Sequence, residues 1–457
     1  MSRDRSAVAR RNVIVTAATA GLAGILFGYD TGIIAAALLS ITPDFGLDSF
    51  QSGAVVGAVP IGAVFGAWFA SRGADRFGRR KLILFSAVIF IVGALVSAIA
   101  GHFWELAAAR AVIGAGIGVA SAVAPVYISE IAPAAIRGRL VTFFQLAVTV
   151  GILVAYLAGL GFADVNEGWR WMLGLGAIPA VALGIGIYRL PSSPRWLLMK
   201  GRDEEAVAAL ERVRPEGAEA IRLEVLEIKS NMGGNTGSWR DLLRPAVKMA
   251  LVVGIGLAIL QQITGINTVI YYAPTIIQQT GIDSASSAIL ASLGVGIINV
   301  IMTVVALRLL DQAGRRLLLF IGVSGMSASL FLLGCAFLGG VDSTVSSVIA
   351  ILSLMLFVSS FAISLGPIFW LLNAEIYPLS VRSRAASAGT MTNWFFNFLV
   401  SLTFLPLIDL LNQTGAFWLY GLIGLVTLWF CWKFVPETKG RSPEQVEAIF
   451  ERRAAGG

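Results

Sequence analysis

Charge is scarce in this chain. Only 13% of its 457 residues are Asp, Glu, Lys or Arg, where a soluble domain carries about 25%. With 57% apolar residues and a mean hydropathy of +0.81, the implied surface cannot face water. The chain is therefore expected in a lipid bilayer. Cys335 and Cys431 both lie inside apolar runs, so no disulfide framework or metal site is readable from them. The single histidine, His102, falls in a short connection and reads as solvated. No Ser-His-Asp, metal-ligand or Walker pattern is present, so ATP hydrolysis and enzyme chemistry are not expected. No metal and no cofactor is expected either.

What is abundant is glycine and apolar length. The 50 glycines fall within apolar runs and fit helices that pack closely in lipid. Gly114-Ala-Gly116-Ile-Gly118 looks like a piece of a dinucleotide loop, but no strand precedes it, and close helix packing is the expectation. Spanning-length segments run over 12–40, 50–71, 81–100, 104–127, 139–161 and 168–189. They resume over 246–279, 285–308, 316–339, 345–373, 385–409 and 414–434. Each exceeds or approaches the ~20 helical residues that cross a bilayer.

Connections after odd-numbered spans carry acids: Asp44, Asp48, Glu105, Asp164, Glu167, Asp283, Asp342 and Asp409. Even-numbered connections and both tails carry the bases. The net charge of +7 is thus a topology signal, not a nucleic-acid one, and it places both termini in the cytoplasm. The segment Met1 to Arg11 is polar and basic, and no cleavable signal peptide is expected. Two amphipathic stretches, 202–212 and 220–228, and a loop at Asn231-Met-Gly-Gly-Asn-Thr-Gly interrupt the apolar pattern. The expected organisation is a first bundle at 1–189, a linker at 190–245, a second bundle at 246–434 and a tail at 435–457.

The two bundles repeat each other. Glu130-Ile-Ala-Pro133-Ala-Ala-Ile-Arg137-Gly-Arg139 returns as Glu375-Ile-Tyr-Pro378-Leu-Ser-Val-Arg382-Ser-Arg384, displaced by 245 residues (375 − 130). Asp75-Arg76-Phe-Gly78-Arg79-Arg80 returns as Asp311-Gln312-Ala-Gly314-Arg315-Arg316, displaced by 236 (314 − 78). Pro191 and Pro436 are again 245 apart (436 − 191). Duplication in an apolar chain points to a transporter built of two related bundles.

Further motifs sit on defined spans: Gly28-Tyr29-Asp30, Pro125-Val-Tyr127-Ile-Ser-Glu130, Pro194-Arg195-Trp196, Gln261-Gln262-Ile-Thr-Gly265-Ile-Asn267, Gly366-Pro367 with Trp370, Asn393-Trp394, and Pro436-Glu437-Thr438-Lys439-Gly440. In this order the chain resembles the sugar porter family of the major facilitator superfamily, over nearly its full length. The resemblance implies an all-α membrane fold with twelve transmembrane helices in two pseudo-symmetric six-helix bundles and a cytoplasmic helical linker. Ser192, Gln312 and Ser383 depart from the family pattern, all at cytoplasmic positions.

A monosaccharide needs amides, which donate and accept, and aromatics against its C–H faces. Gln145, Gln261, Gln262, Asn267, Asn299, Trp370 and Asn393 are the sugar ligands that the family pattern implies. Gln261 and Asn267 are six apart, roughly 120° off-face in a regular helix, so a break near Gly265 is expected. Asn393 and Asn397 share a face. Trp394 reads as packing.

Asp30 is the one carboxylate well inside the first span, and Arg110 the one base well inside the fourth. Lone buried charges are costly, so the two are expected to pair. The resemblance implies proton coupling through Asp30, since facilitative relatives carry Asn there. One proton entering down 100 mV releases about 2.3 kcal/mol, enough for roughly 50-fold accumulation at 1.36 kcal/mol per decade. Gating ion pairs are expected among Asp75, Arg79, Arg80, Glu130 and Arg137, and among Asp311, Arg315, Arg316, Glu375, Arg382 and Glu437. They would latch the halves while the pocket faces outward.

The expected function is import of a monosaccharide, an aldohexose such as glucose, with a proton across the cytoplasmic membrane. Expected partners are sugar, proton and lipid, with no nucleic acid and with the monomer sufficient. Two other readings stay open: a facilitative uniporter in which Asp30–Arg110 is structural, and a non-transporting sugar sensor. A multidrug antiporter would share Gly78-Arg79-Arg80 but not Gln261-Gln262-Asn267.

Overall fold

The computed structural model describes residues 2–133, 137–214, 217–232, 241–242, 244–282, 284–338, 344–378, 381–441 and 443–455. Among them every regular element is a helix. The first half contains α1 (Ser2–Phe45), α2 (Ser49–Phe77), α3 (Arg79–Ile99), α4 (Phe103–Ile131), α5 (Arg137–Phe162), α6 (Gly168–Gly174) and α7 (Ala177–Arg189). The linker holds α8 (Pro194–Met199), α9 (Asp203–Glu211) and α10 (Ala218–Met232). The second half contains α11 (Pro245–Ile263), α12 (Ile266–Gln278), α13 (Ala285–Ala313), α14 (Arg315–Ala336), α15 (Thr344–Ala362), α16 (Leu365–Glu375) and α17 (Arg382–Phe434), followed by α18 (Pro443–Ala455).

Three expected spans are broken helices. The sixth divides into α6 and α7, the seventh into α11 and α12, and the tenth into α15 and α16. The last break precedes Gly366-Pro367, where proline removes a donor and disfavours helix before it. Conversely, the eleventh and twelfth spans form one 53-residue run, α17, with a non-helical backbone at Asn412 (φ 55°, ψ 176°). That residue is the turn between two crossings, so twelve crossings remain. The linker has one helix more than the amphipathic pattern predicts. It is α8, started by Pro194 in its first turn and capped by Ser193, whose side chain accepts from Trp196 N.

Glycine closes the helix contacts. A Cβ on Gly114 would stand 2.1 Å from Val59 O, and one on Gly118 2.2 Å from Ala63 O. The glycines at 114 and 118 therefore bring α4 against α2, as their packing reading requires. Outward faces stay apolar: Phe65, Phe85, Ile99, Leu352, Leu422 and Trp432 are exposed, as a surface against lipid tails requires.

Gly78 and Gly314 have φ of +88° and +86° and separate α2 from α3 and α13 from α14. Equivalent positions in the repeat thus adopt the same left-handed backbone, which favours glycine. The halves meet near the ends that carry the acidic connections. A Cβ on Gly53 would strike Leu402 O at 2.5 Å, and Tyr156 Oη donates to Ile270 O at 3.0 Å. The ion pairs Arg79–Glu130, Asp30–Arg110 and Arg315–Glu375 each lie within one half, and Arg214–Glu224 within the linker.

Candidate functional site

The helix break expected in the seventh span is present. Gly265 has φ +90° between α11 and α12. This turn brings Asn267 back to Gln262, and Asn267 Nδ2 donates to Gln262 Oε1 at 2.6 Å. Gln262 Nε2 donates to Asn393 Oδ1 at 3.0 Å and to Gln261 Oε1 at 3.3 Å. Asn393 Nδ2 donates to Gln261 Oε1 at 2.7 Å. Gln261 Nε2 donates to Leu365 O at 2.7 Å, at the start of α16. Four predicted ligands thus form one hydrogen-bonded group where α11, α12, α16 and α17 meet. Gln261, Gln262 and Asn393 are buried and Asn267 half-buried.

The other three predicted ligands lie outside this hydrogen-bonded group. Asn299 is buried on α13, Gln145 half-buried on α5, and Trp370 is 37% exposed on α16 with its ring edge-on to Phe369. Trp394 packs on Phe27 of α1 at 5.2 Å between centroids and is almost fully buried, as its packing reading expects. Its indole Nε1 has no hydrogen-bond partner. Asn397, one turn beyond Asn393, donates to Tyr271 Oη at 3.4 Å. Tyr271 was not singled out in the sequence. It follows Asn267 by four residues, and that helical spacing was the available signal.

Asp30 and Arg110 do pair. Arg110 Nη1 and Nη2 face Asp30 Oδ1 and Oδ2, each at 3.4 Å, with side chains 1% and 4% exposed. Arg110 Nε also donates to Val55 O at 2.9 Å. The fork is bidentate but long, since a strong guanidinium–carboxylate contact is about 2.7–2.9 Å. The carboxylate is therefore buried, with its partner at the long end of hydrogen-bond range.

At the basic ends, Arg79 binds Glu130 at 3.0 Å and Asp75 at 3.1 Å. In the second half Arg315 binds Glu375 at 3.3 Å. Hydroxyls the sequence reading missed complete both sets: Ser193 Oγ donates to Glu130 Oε2 at 2.5 Å and Thr438 Oγ1 to Glu375 Oε2 at 2.9 Å. Glu437 accepts from the backbone N–H groups of Arg315, Arg316 and Lys439 at 3.1, 3.0 and 2.9 Å. Burial pushes the Glu437 carboxyl up, but these N–H groups outweigh it and hold it below the usual carboxylate range. In the first half, Ser192 stands where Glu437 stands in the second (437 − 192 = 245), and the Trp196 indole lies against Gly78 instead.

Some expected gating side chains turn elsewhere. Arg80 donates to the main-chain carbonyls of Ile187 and Tyr188, and Arg316 to Trp432 O at 2.7 Å. The side chains of Arg137 and Asp311 fall outside the described residues.

Comparison with known proteins agrees with this architecture. Residues 16–450 match the family described as sugar (and other) transporter. The chain belongs to that family. It is 42% identical over 434 residues to a D-xylose transporter of Levilactobacillus brevis, covering 94% of each chain. It is 40% identical to the glucose transporter GlcP of Staphylococcus epidermidis, covering 94% of this chain and 96% of that one. The xylose transporter XylE of E. coli, in a partially occluded inward-open conformation, superposes with a TM-score of 0.83 at 33% identity, over 94% of this chain and 100% of XylE. XylE described as a proton:xylose symporter bound to 6-bromo-6-deoxy-D-glucose gives 0.79 at 32% identity, over 96% and 99%. The protein is thus a multi-pass membrane transporter with the twelve-helix major facilitator fold, and not an enzyme.

Proposed function

We propose that this protein imports a monosaccharide, an aldohexose such as glucose, together with a proton across the cytoplasmic membrane by alternating access. The observation that carries the reading is the buried Asp30–Arg110 pair, held only at 3.4 Å. Protonation of Asp30 from outside removes the partner of Arg110, frees α1 from α4, and permits the inward swing. The amide group Gln261, Gln262, Asn267 and Asn393 supplies the donors and acceptors that sugar hydroxyls need. Gln145, Asn299 and Trp370 complete the pocket when the halves close. Relatives described as carriers of glucose and xylose support a monosaccharide substrate, and the description of XylE as a proton:xylose symporter supports coupling. Both termini are cytoplasmic and one chain suffices.

A facilitative uniporter is the second reading. The bond from Arg110 Nε to Val55 O is the observation that favours it, because it anchors Arg110 whatever Asp30 does. Purified protein in liposomes with an internal pH dye separates the two. Symport predicts sugar-dependent acidification in wild type that disappears in Asp30→Asn while sugar exchange remains. Sugar entry without proton movement in wild type makes the chain a uniporter.

A further inference from the structure

Tyr156 on α5 reaches from one half into the other. It is buried, and its hydroxyl donates to Ile270 O on α12 at 3.0 Å. Ile270 lies four residues before Pro274, which stands inside α12. A proline has no N–H, so the carbonyl four residues back loses its helical donor. The tyrosine of the first half therefore supplies a bond that the helix of the second half cannot make for itself. The second half also makes room for the ring. Gly296 on α13 lies against it, and a Cβ there would stand 3.0 Å from Tyr156 Cδ2.

A second proline repeats the arrangement without the hydroxyl. Pro406 stands inside α17 and leaves Leu402 O without its helical donor. That carbonyl also faces the first half, where Gly53 approaches so closely that a Cβ would be 2.5 Å from it. Leu402 O is thus met by the bare backbone of a glycine, and Ile270 O by a strong donor. A buried carbonyl left without a donor costs free energy, so Tyr156 is the group whose loss Ile270 O would register.

This bond has to change with the state of the protein. Tyr156 and Ile270 belong to different halves and meet near the ends that carry the acidic connections, so the bond breaks when those ends part. Water then reaches Ile270 O and replaces the hydroxyl. The stabilisation acts on the arrangement closed at those ends and on no other. Both helices also carry amides of the proposed sugar site. Asn267 opens α12. Gln145 precedes Tyr156 by eleven residues on α5 (156 − 145), about three turns, which puts both on one face.

We infer that Tyr156 is a positioning residue: with the carbonyl that Pro274 frees, it forms a latch that holds the acidic ends together and brings Gln145 toward the amides of the second half. This rests on the alternating-access reading. Loss of the hydroxyl strands Ile270 O only while those ends are closed, and shifts the population toward the outward-facing state by about tenfold.

The test uses the full chain in a Cys335→Ser background, spin-labelled at Asn166→Cys and Asp409→Cys, exposed positions at the acidic ends of the two halves. Electron–electron distance distributions without sugar are compared for the otherwise unchanged protein, Tyr156→Phe, Pro274→Ala and the two combined. Tyr156→Phe keeps the ring on Gly296 and should enrich the long distance. It should also lower the apparent KM for external sugar, since that KM scales inversely with the competent fraction. Pro274→Ala gives Ile270 O an N–H from its own helix. Adding Tyr156→Phe to it should therefore shift the populations by less than about twofold, a coupling that simple loss of packing would not produce. Unchanged distances in a folded Tyr156→Phe would overturn the proposal, and so would an equal shift with and without Pro274→Ala. If Tyr156→Phe does not fold, recovery of the fold on adding Pro274→Ala supports the latch, and a combined variant that also fails to fold overturns it. A parent protein that moves no sugar would instead sink the transport reading, while the distances still report on Tyr156.

Discussion

Ser193 and Thr438 occupy the same place in the two halves: each donates its hydroxyl to the repeated glutamate, at 2.5 Å to Glu130 and at 2.9 Å to Glu375. They are 245 residues apart (438 − 193), the same displacement that relates the two glutamates. The duplication therefore preserves a three-part contact of arginine, glutamate and hydroxyl, not only a pattern of charge.

If these contacts hold the helix ends, Ser193→Ala and Thr438→Val should each slow net uptake severalfold. Each removes a hydrogen bond to a charged group, about 1.5–3 kcal/mol in magnitude. Initial rates of sugar uptake in vesicles at matched expression check this. Equal rates in both variants and wild type would mean that the hydroxyls only fill space.

Gln262→Leu should weaken sugar binding by about 10- to 100-fold, or roughly 1.4–2.8 kcal/mol. It leaves Asn267 Nδ2 and one contact of Asn393 Oδ1 without a partner. Asn299→Leu should cost less, because Asn299 lies outside the hydrogen-bonded group. Tryptophan-fluorescence titration with glucose, xylose and galactose measures both effects and ranks the sugars.

Gly114→Ala should reduce the yield of folded protein sharply, because even a methyl would stand 2.1 Å from Val59 O of the facing helix. Gly161→Ala is the control. It has open space around the added carbon and should be neutral, or stabilising by up to about 1 kcal/mol. Size-exclusion profiles and melting temperatures in detergent distinguish the two.

Glu437 makes the tail sensitive to acid. Burial raises its pKa and the surrounding N–H groups lower it further than that, so the folded value is depressed. A depressed carboxylate stabilises the fold above its unfolded pKa, and the contribution is lost as pH falls through the folded value. Protection factors in α14 and α18, with the slowing of intrinsic exchange in acid divided out, should therefore fall in wild type as pH drops from about 6 to 3. Glu437→Gln should show lower protection at neutral pH and little of that acid dependence.

Much of this was legible because lipid removes ambiguity. Apolar length fixes the crossings, basic connections fix their alternation, and the repeat fixes the bundles. The break at Gly265 followed from two amides that a straight helix would point apart. The turn at Asn412 was expected only as a gap between apolar runs, since Asn adopts a positive φ without advertising it. Partners of side chains were less readable. Arg80 and Arg316 repeat as faithfully as Arg79 and Arg315, yet each turns to a main-chain carbonyl, because one helical position rotates the guanidinium away from the glutamate. Arg214 carried no signal at all, since its bond to Ile131 O forms only when the linker folds back onto the end of α4.

Gln261, Gln262, Asn267 and Asn393 satisfy one another. If they are the sugar site we propose, an entering sugar must trade bonds with them one for one rather than meet an unfilled demand, so each exchange contributes only about 0.5–1.5 kcal/mol. A carrier benefits from that restraint twice. The cargo is held loosely enough to leave on the far side, and the unloaded protein has no stranded amide to hinder its return.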